Sequence, residues 1–185
     1  MERNEVLEWL HDHPQEVKES PEDVVTRCEE AVHEHVLAET WRHACGLARQ
    51  RERYWLEDGG GAHASEAFVA REICGKLAME LRRLEPVPEA RDVGSYVDAR
   101  ALAQLGAGGR SLMLRYVLDL ARREEHQTWC QVMDFTREKG QELARRRTFS
   151  KELDFDRTHG YAETAARVMH ILAEDFARHA PPHAH

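Results

Sequence analysis

Every apolar run in this 185-residue chain repeats at helical spacing, and none alternates. A half-buried strand needs a period of two, whereas apolar residues at i, i+3, i+4 and i+7 give a helix one buried face. Pro and Gly fall between the runs, where they end helices. The pattern predicts an all-α fold: a compact multi-helix bundle of about six to eight helices. No internal repeat divides it, and one domain overall is the expectation at this length.

Val6, Leu7 and Leu10, with Trp9 beside them, predict a short helix over residues 2–13, ended before Pro14. Ser20-Pro21-Glu22-Asp23 is a helix start: a capping hydroxyl, Pro in the first turn, and acids at the positive end of the dipole. The helix it opens carries Val24, Val25, Cys28, Val32, Val36, Trp41, Ala44 and Leu47, and runs to about Trp55. Gly59-Gly60-Gly61 then breaks the chain. No strand precedes it and no Lys-Ser/Thr follows, so a flexible connector is expected rather than a phosphate loop. Ser65 caps a third helix with Phe68, Val69, Ile73, Leu77 and Leu81 on its inward stripe, stopped by Pro86 and Pro88. Residues 85–94 form a second connector. A short helix over 95–105 closes at Gly106-Ala107-Gly108-Gly109, and an apolar helix with Leu112, Leu114, Val117, Leu118 and Leu120 follows. A last helix spans about Tyr161 to His179, with Ala165, Val168, Met169, Leu172 and Phe176 inward, before a frayed tail.

Charge divides the chain unevenly. Residues 1–60 hold fifteen Asp/Glu against seven Lys/Arg, and the remaining residues hold nineteen of each. An acidic N-terminal helical part (1–57) is therefore set off from a helical core (58–185). No run reaches the roughly 18 apolar residues of a spanning helix, and acids stand where an export signal would carry positive charge. Cys28, Cys45, Cys74 and Cys130 are dispersed without a Cys-x-x-Cys pair, which fits buried thiols in a reducing cytoplasm. The expected location is cytoplasmic, with no cofactor.

Residues 122–147 read as two short helices with a tight break at Asp134-Phe135-Thr136. Cys130 would then let the two helices cross closely, Trp129, Met133 and Leu143 would face inward, and Thr136 would cap the second helix. From Arg137 to Lys151 six Lys/Arg meet two acids, a local charge of +4 in an acidic chain. Cations at a helix end also complement its dipole, so a solvated terminus explains Arg145, Arg146 and Arg147 equally simply.

Ala101-Leu102-Ala103-Gln104-Leu105, Arg110, Leu112 to Val117, Glu124-Glu125 and the break at Met133 to Thr136 together resemble the fourth region of σ70-family sigma factors, a DNA-reading helix-turn-helix module. The resemblance covers about a quarter of the chain. Asp134 replaces the family's turn Gly, Gly140 replaces a packing Val or Ile, and about 37 residues follow the module. It implies a regulatory, non-enzymatic protein contacting DNA through an outward face of Arg137, Lys139, Gln141, Arg145 and Arg146, with the cations on phosphates and Gln141 on a base edge. A different class of function is also open: a helical adaptor or inhibitor subunit whose acidic N-terminal helices dock on a protein partner. Third comes a metal-dependent helical enzyme. His35, Glu39 and His43 are spaced i, i+4, i+8, and Glu30 with His33 forms a Glu-x-x-His pair. A di-iron bundle needs a second such pair on another helix, and the sequence has none. A solvated stripe is the simpler reading. No Gly-x-Ser-x-Gly or activated Cys signature marks a nucleophile.

Overall fold

The computed structural model describes residues 1–58, 64–83, 96–149 and 160–181, with side chains in the penultimate helix described as far as Arg145. The connectors at 59–63 and 85–94, the loop holding Asp154 and Asp156, and the tail from His183 lie outside the described residues, as do the side chains of Arg146 and Arg147. Among the described residues six α-helices follow in order: α1 (Arg3–Asp12), α2 (Pro21–Asp58), α3 (Glu66–Arg83), α4 (Ala99–Ala103), α5 (Ala107–Phe149) and α6 (Tyr161–His179), with a 3-10 turn at Pro14–Glu16. The fold is all-α. Among the described residues the only β pairing is an isolated antiparallel bridge between Val17 and Leu105.

Two compact units share the two long helices. The first comprises Met1–Leu37 and Pro86–Thr128, the second Ala38–Glu85 and Trp129–His185. The units are thus interleaved in sequence, each formed from separate stretches.

In the first unit, α1, the front of α2, α4 and the front of α5 bury Val6, Leu10, Val25, Val32, Met113 and Val117. Side chains of this size contribute about 1.5–3 kcal/mol each on full burial. Polar ties frame this core. Glu29 accepts from the Tyr116 hydroxyl and, at 3.2 Å, from Arg3. The N-terminal ammonium lies 3.1 Å from Asp119, and Arg123 reaches Glu2 at 3.0 Å. Glu16 then anchors the start of α5: its carboxylate accepts from the backbone N–H of Gly108 (3.0 Å) and Gly109 (3.1 Å), while its carbonyl accepts from Gly106 N–H (2.8 Å). A Cβ on Gly106 would collide with that carboxylate. The glycine-rich stretch expected to close a helix is therefore also the cradle that a carboxylate 92 residues away fills, satisfying N–H groups that a helix start leaves open.

In the second unit, the back of α2, α3, the back of α5 and α6 bury Ile73, Leu77, Leu81, Trp129, Leu172 and Phe176. Trp41 packs edge-on to Phe135 (5.6 Å between ring centres) and stacks on His179 (4.7 Å).

The break expected at Asp134-Phe135-Thr136 is absent, because α5 runs unbroken through it. Thr136 is no cap; it is fully buried and its hydroxyl donates to the Val132 carbonyl at 2.7 Å, one turn back in the same helix. The reason lies in the phase of the buried seam. Trp129, Met133, Thr136, Gly140 and Ala144 are all buried and follow one another at helical spacing, with no phase slip where a turn would put one. The close crossing assigned to Cys130 falls instead at Gly140. A Cβ there would lie 2.7 Å from Cys74 Cβ and 3.2 Å from the Ala70 carbonyl, so α3 and α5 meet with only hydrogen between them.

Candidate binding pocket

Arg51, Tyr54 and Trp55 stand on the last turns of α2, Ile73, Lys76, Leu77 and Glu80 on α3, and Met169 on α6; together they line a pocket of about 160 Å³ in the second unit. Ile73 and Leu77 sit on the buried stripe of α3, so the pocket floor is an edge of the core. Trp55 meets Tyr161 edge-on at 5.4 Å and Tyr54 at 5.2 Å, which fixes the aromatic wall.

The rim is ionic. Arg51 Nε donates to Glu80 at 2.9 Å and a second guanidinium nitrogen donates to its other oxygen, a two-point clasp between α2 and α3. The hydrogen bond to Glu80 raises the Arg51 pKa above its ordinary value. Lys76 sits 2.6 Å from Glu72, one turn back on α3. Their contact holds the Glu72 carboxyl below its ordinary pKa and the Lys76 ammonium above its own. Burial, then the charge of Glu72, raises the Tyr161 phenol. The cluster therefore combines the Arg51 guanidinium and the Lys76 ammonium with the carboxyl groups of Glu72 and Glu80 and the Tyr161 phenol.

Every one of these shifts runs away from neutrality. General base catalysis wants a group poised near neutrality, and nucleophilic catalysis wants a depressed pKa. Here the phenol moves the wrong way, and the nearby buried thiol of Cys74 is pushed up by desolvation to about 12. Exposed apolar side chains surround the region in sequence: Tyr54 (49% exposed), Leu56 (63%), Phe68 (55%) and Met79 (56%) all belong to the second unit.

The sequence-predicted residues lie elsewhere. Arg137, Gln141 and Arg145 share one exposed strip of α5, successive turns apart, with Arg137 paired to Asp134 at 3.1 Å. Lys139 is not on that outward face. Two residues along a helix is about 200° of rotation, and its side chain, 16% exposed, lies 2.8 Å from the buried Asp175 carboxylate of α6 and 3.1 Å from Glu142. Burial acts to lower the Lys139 pKa, but Asp175 and Glu142 outweigh it and the net shift is upward. Arg146 lies outside the described side chains. His35, Glu39 and His43 do not converge: His35 packs edge-on to Tyr96 (4.3 Å), Glu39 pairs with Arg42, and His43 lies against Trp129 (5.6 Å). His33 of the Glu-x-x-His pair binds Glu124 at 3.1 Å. Among the described residues no three His, Cys, Asp or Glu side chains are grouped to hold a metal ion.

Sequence reading missed the pocket. Its local signals are the Glu72/Lys76 and Lys76/Glu80 spacings of i, i+4, ordinary for any helix surface. Phe68, expected on the inward stripe, is more exposed than buried. Among the described residues no helix is long and apolar enough to cross a membrane. No protein-family model, curated protein or solved structure matches this chain.

Proposed function

We propose that this chain is a non-enzymatic binding module, an adaptor or regulatory subunit, that meets a protein partner through the pocket of its second unit. One observation carries the reading: a mostly apolar, ion-rimmed pocket of about 160 Å³ with exposed Tyr54 on its wall. Pockets for cofactors and metabolites usually enclose about 300–1,000 Å³. This one is the size of a single side chain, the scale of an interface anchor. Exposed Phe68 and Met79 on α3 add apolar contact area of the kind enriched at interfaces.

A second reading, contact with DNA or RNA, is favoured by the exposed strip of Arg137, Gln141 and Arg145. It has less support, since Asp134 and Glu138 stand exposed among these cations and Lys139 faces α6. An overall charge of −8 also opposes approach to phosphate.

Photo-crosslinking separates the two. Full-length protein carrying a photoreactive phenylalanine at position 54, 68 or 79 is expected to give a discrete protein adduct that nuclease does not remove. Nuclease-sensitive adducts from positions 141 and 145, with none from the first set, would overturn the adaptor reading.

A further inference from the structure

The rim of the pocket has hydrogen-bonding capacity left over, and almost all of it is N–H. A guanidinium carries five N–H donors and an ammonium three. Arg51 spends two of its donors on Glu80, one on each carboxylate oxygen. Lys76, 55% exposed at its side chain, has Glu72 as its partner and the Tyr161 hydroxyl beside it. Glu80, the only acid lining the pocket, already has both oxygens engaged. The lining itself bears two cations and one carboxylate, with Glu72, bound to Lys76 just outside it, as the second acid of the rim. Behind them Trp55, Ile73, Leu77 and Met169 make an apolar wall, with the Tyr54 phenol as its polar edge.

From this we infer that the pocket takes an apolar group bearing a carboxylate, the apolar part against Trp55, Leu77 and Met169 and the carboxylate on Lys76 and the outer N–H groups of Arg51. The inference rests on the binding-module reading and deepens it. A volume near 160 Å³ holds one branched aliphatic or one aromatic ring, and a carboxylate held that close to such a group is what a protein's C-terminal residue presents. The source is accordingly the chain terminus of a partner, with an apolar last residue. A carboxylate accepting charge-assisted N–H bonds beside an apolar wall binds more strongly than its neutral amide, because the amide returns half of its acceptors as donors.

The test uses full-length protein labelled at its methionine methyls. Met169 lines the pocket, and exposed Met79 on α3 serves as an outside reference. The probes are acetyl-Gly-Leu with a free carboxylate, its C-terminal amide, 4-methylpentanoate and 4-methylpentanamide. The expected result is a saturable shift of the Met169 signal by the acid peptide, with Kd on the order of 1 mM or tighter and about tenfold weaker binding of the amide. K76Q should erase the preference for acid over amide, and K76R should keep it; Lys76 is exposed enough that both variants are expected to fold. Equal binding of acid and amide would overturn the inference while leaving the pocket as an apolar socket. Binding of 4-methylpentanoate with failure of the peptide would overturn the chain-terminus source. No movement of Met169 with any probe at about 10 mM would sink the inference outright, and the crosslinks at positions 54 and 68 then decide the parent reading separately.

Discussion

The two units contrast in charge. The stretches Met1–Leu37 and Pro86–Thr128 hold 17 acids and 9 Lys/Arg, a net of −8, whereas Ala38–Glu85 and Trp129–His185 hold 17 of each. The whole net charge of the chain thus belongs to the first unit. Exposed apolar side chains divide the other way: of the five large ones among the described residues, only Leu114 is in the first unit. The first unit uses its charge on itself, through Arg3–Glu29, Arg123–Glu2 and the Glu16 cradle. The second pairs Arg51, Lys76, Arg137 and Lys139 with acids and leaves apolar groups and a pocket uncovered. Net charge keeps proteins apart and dissolved, so in the proposed reading the first unit supplies repulsion and the second supplies the place where contact is made.

The largest expected effect is on the core of the second unit. Phe176→Ala should cost about 3–5 kcal/mol by cavity formation, whereas Leu114→Ala, on the exposed side of the first unit, should stay within about 0.5 kcal/mol. Denaturant titration of both variants checks this, and similar losses would erase the contrast. Next come two helical glycines with opposite signs. Gly140→Ala should destabilise by about 1–3 kcal/mol because the new methyl strikes Cys74 and the Ala70 carbonyl. Gly46→Ala, where nothing lies within 4 Å of the new methyl, should stabilise by about 0.5–1 kcal/mol. In the first unit, Glu16→Ala removes the acceptor for Gly108 and Gly109 and should cost about 1–2 kcal/mol in thermal unfolding.

The smallest effect is in the pH profile. Lys139 has a raised folded-state pKa, so its pairing with Asp175 stabilises fully below the ordinary lysine value of about 10.4 and is lost as pH rises through the higher folded value. Glu72 has a lowered one, so its tie to Lys76 is present above about pH 4.3 and lost as pH falls through the folded value. Melting temperature against pH should therefore decline at both ends, with Lys139→Met flattening only the alkaline side. An unchanged alkaline limb would contradict the pairing.

Helix identity was legible where a local rule fixes it. Pro21 opens α2, Ser65 Oγ accepts the Phe68 N–H at 3.2 Å as an N-cap should, and α6 spans Tyr161–His179 with its expected apolar face buried. The break in α5 was misread because Asp and Thr at 134 and 136 suit a turn locally, while the buried seam from Trp129 to Ala144 outvotes them through packing. Periodicity shows that a helix has an inward face but not which helix receives it. Arg51 and Glu80 are 29 residues apart, and Glu16 and Gly108 are 92 apart, so neither contact left a mark in the sequence pattern. The pocket is made of such pairs, and for that reason it emerged only in three dimensions.

Contact through the neutral unit's pocket rather than with phosphate is open to a single experiment: fluorescence titration of random duplex DNA and single-stranded RNA at low and moderate salt. The predicted result is no saturable binding even at low salt. Binding whose log–log salt slope is about −0.9 per phosphate neutralised, and which flattens when Arg137 and Arg145 are replaced by Ala, would contradict it.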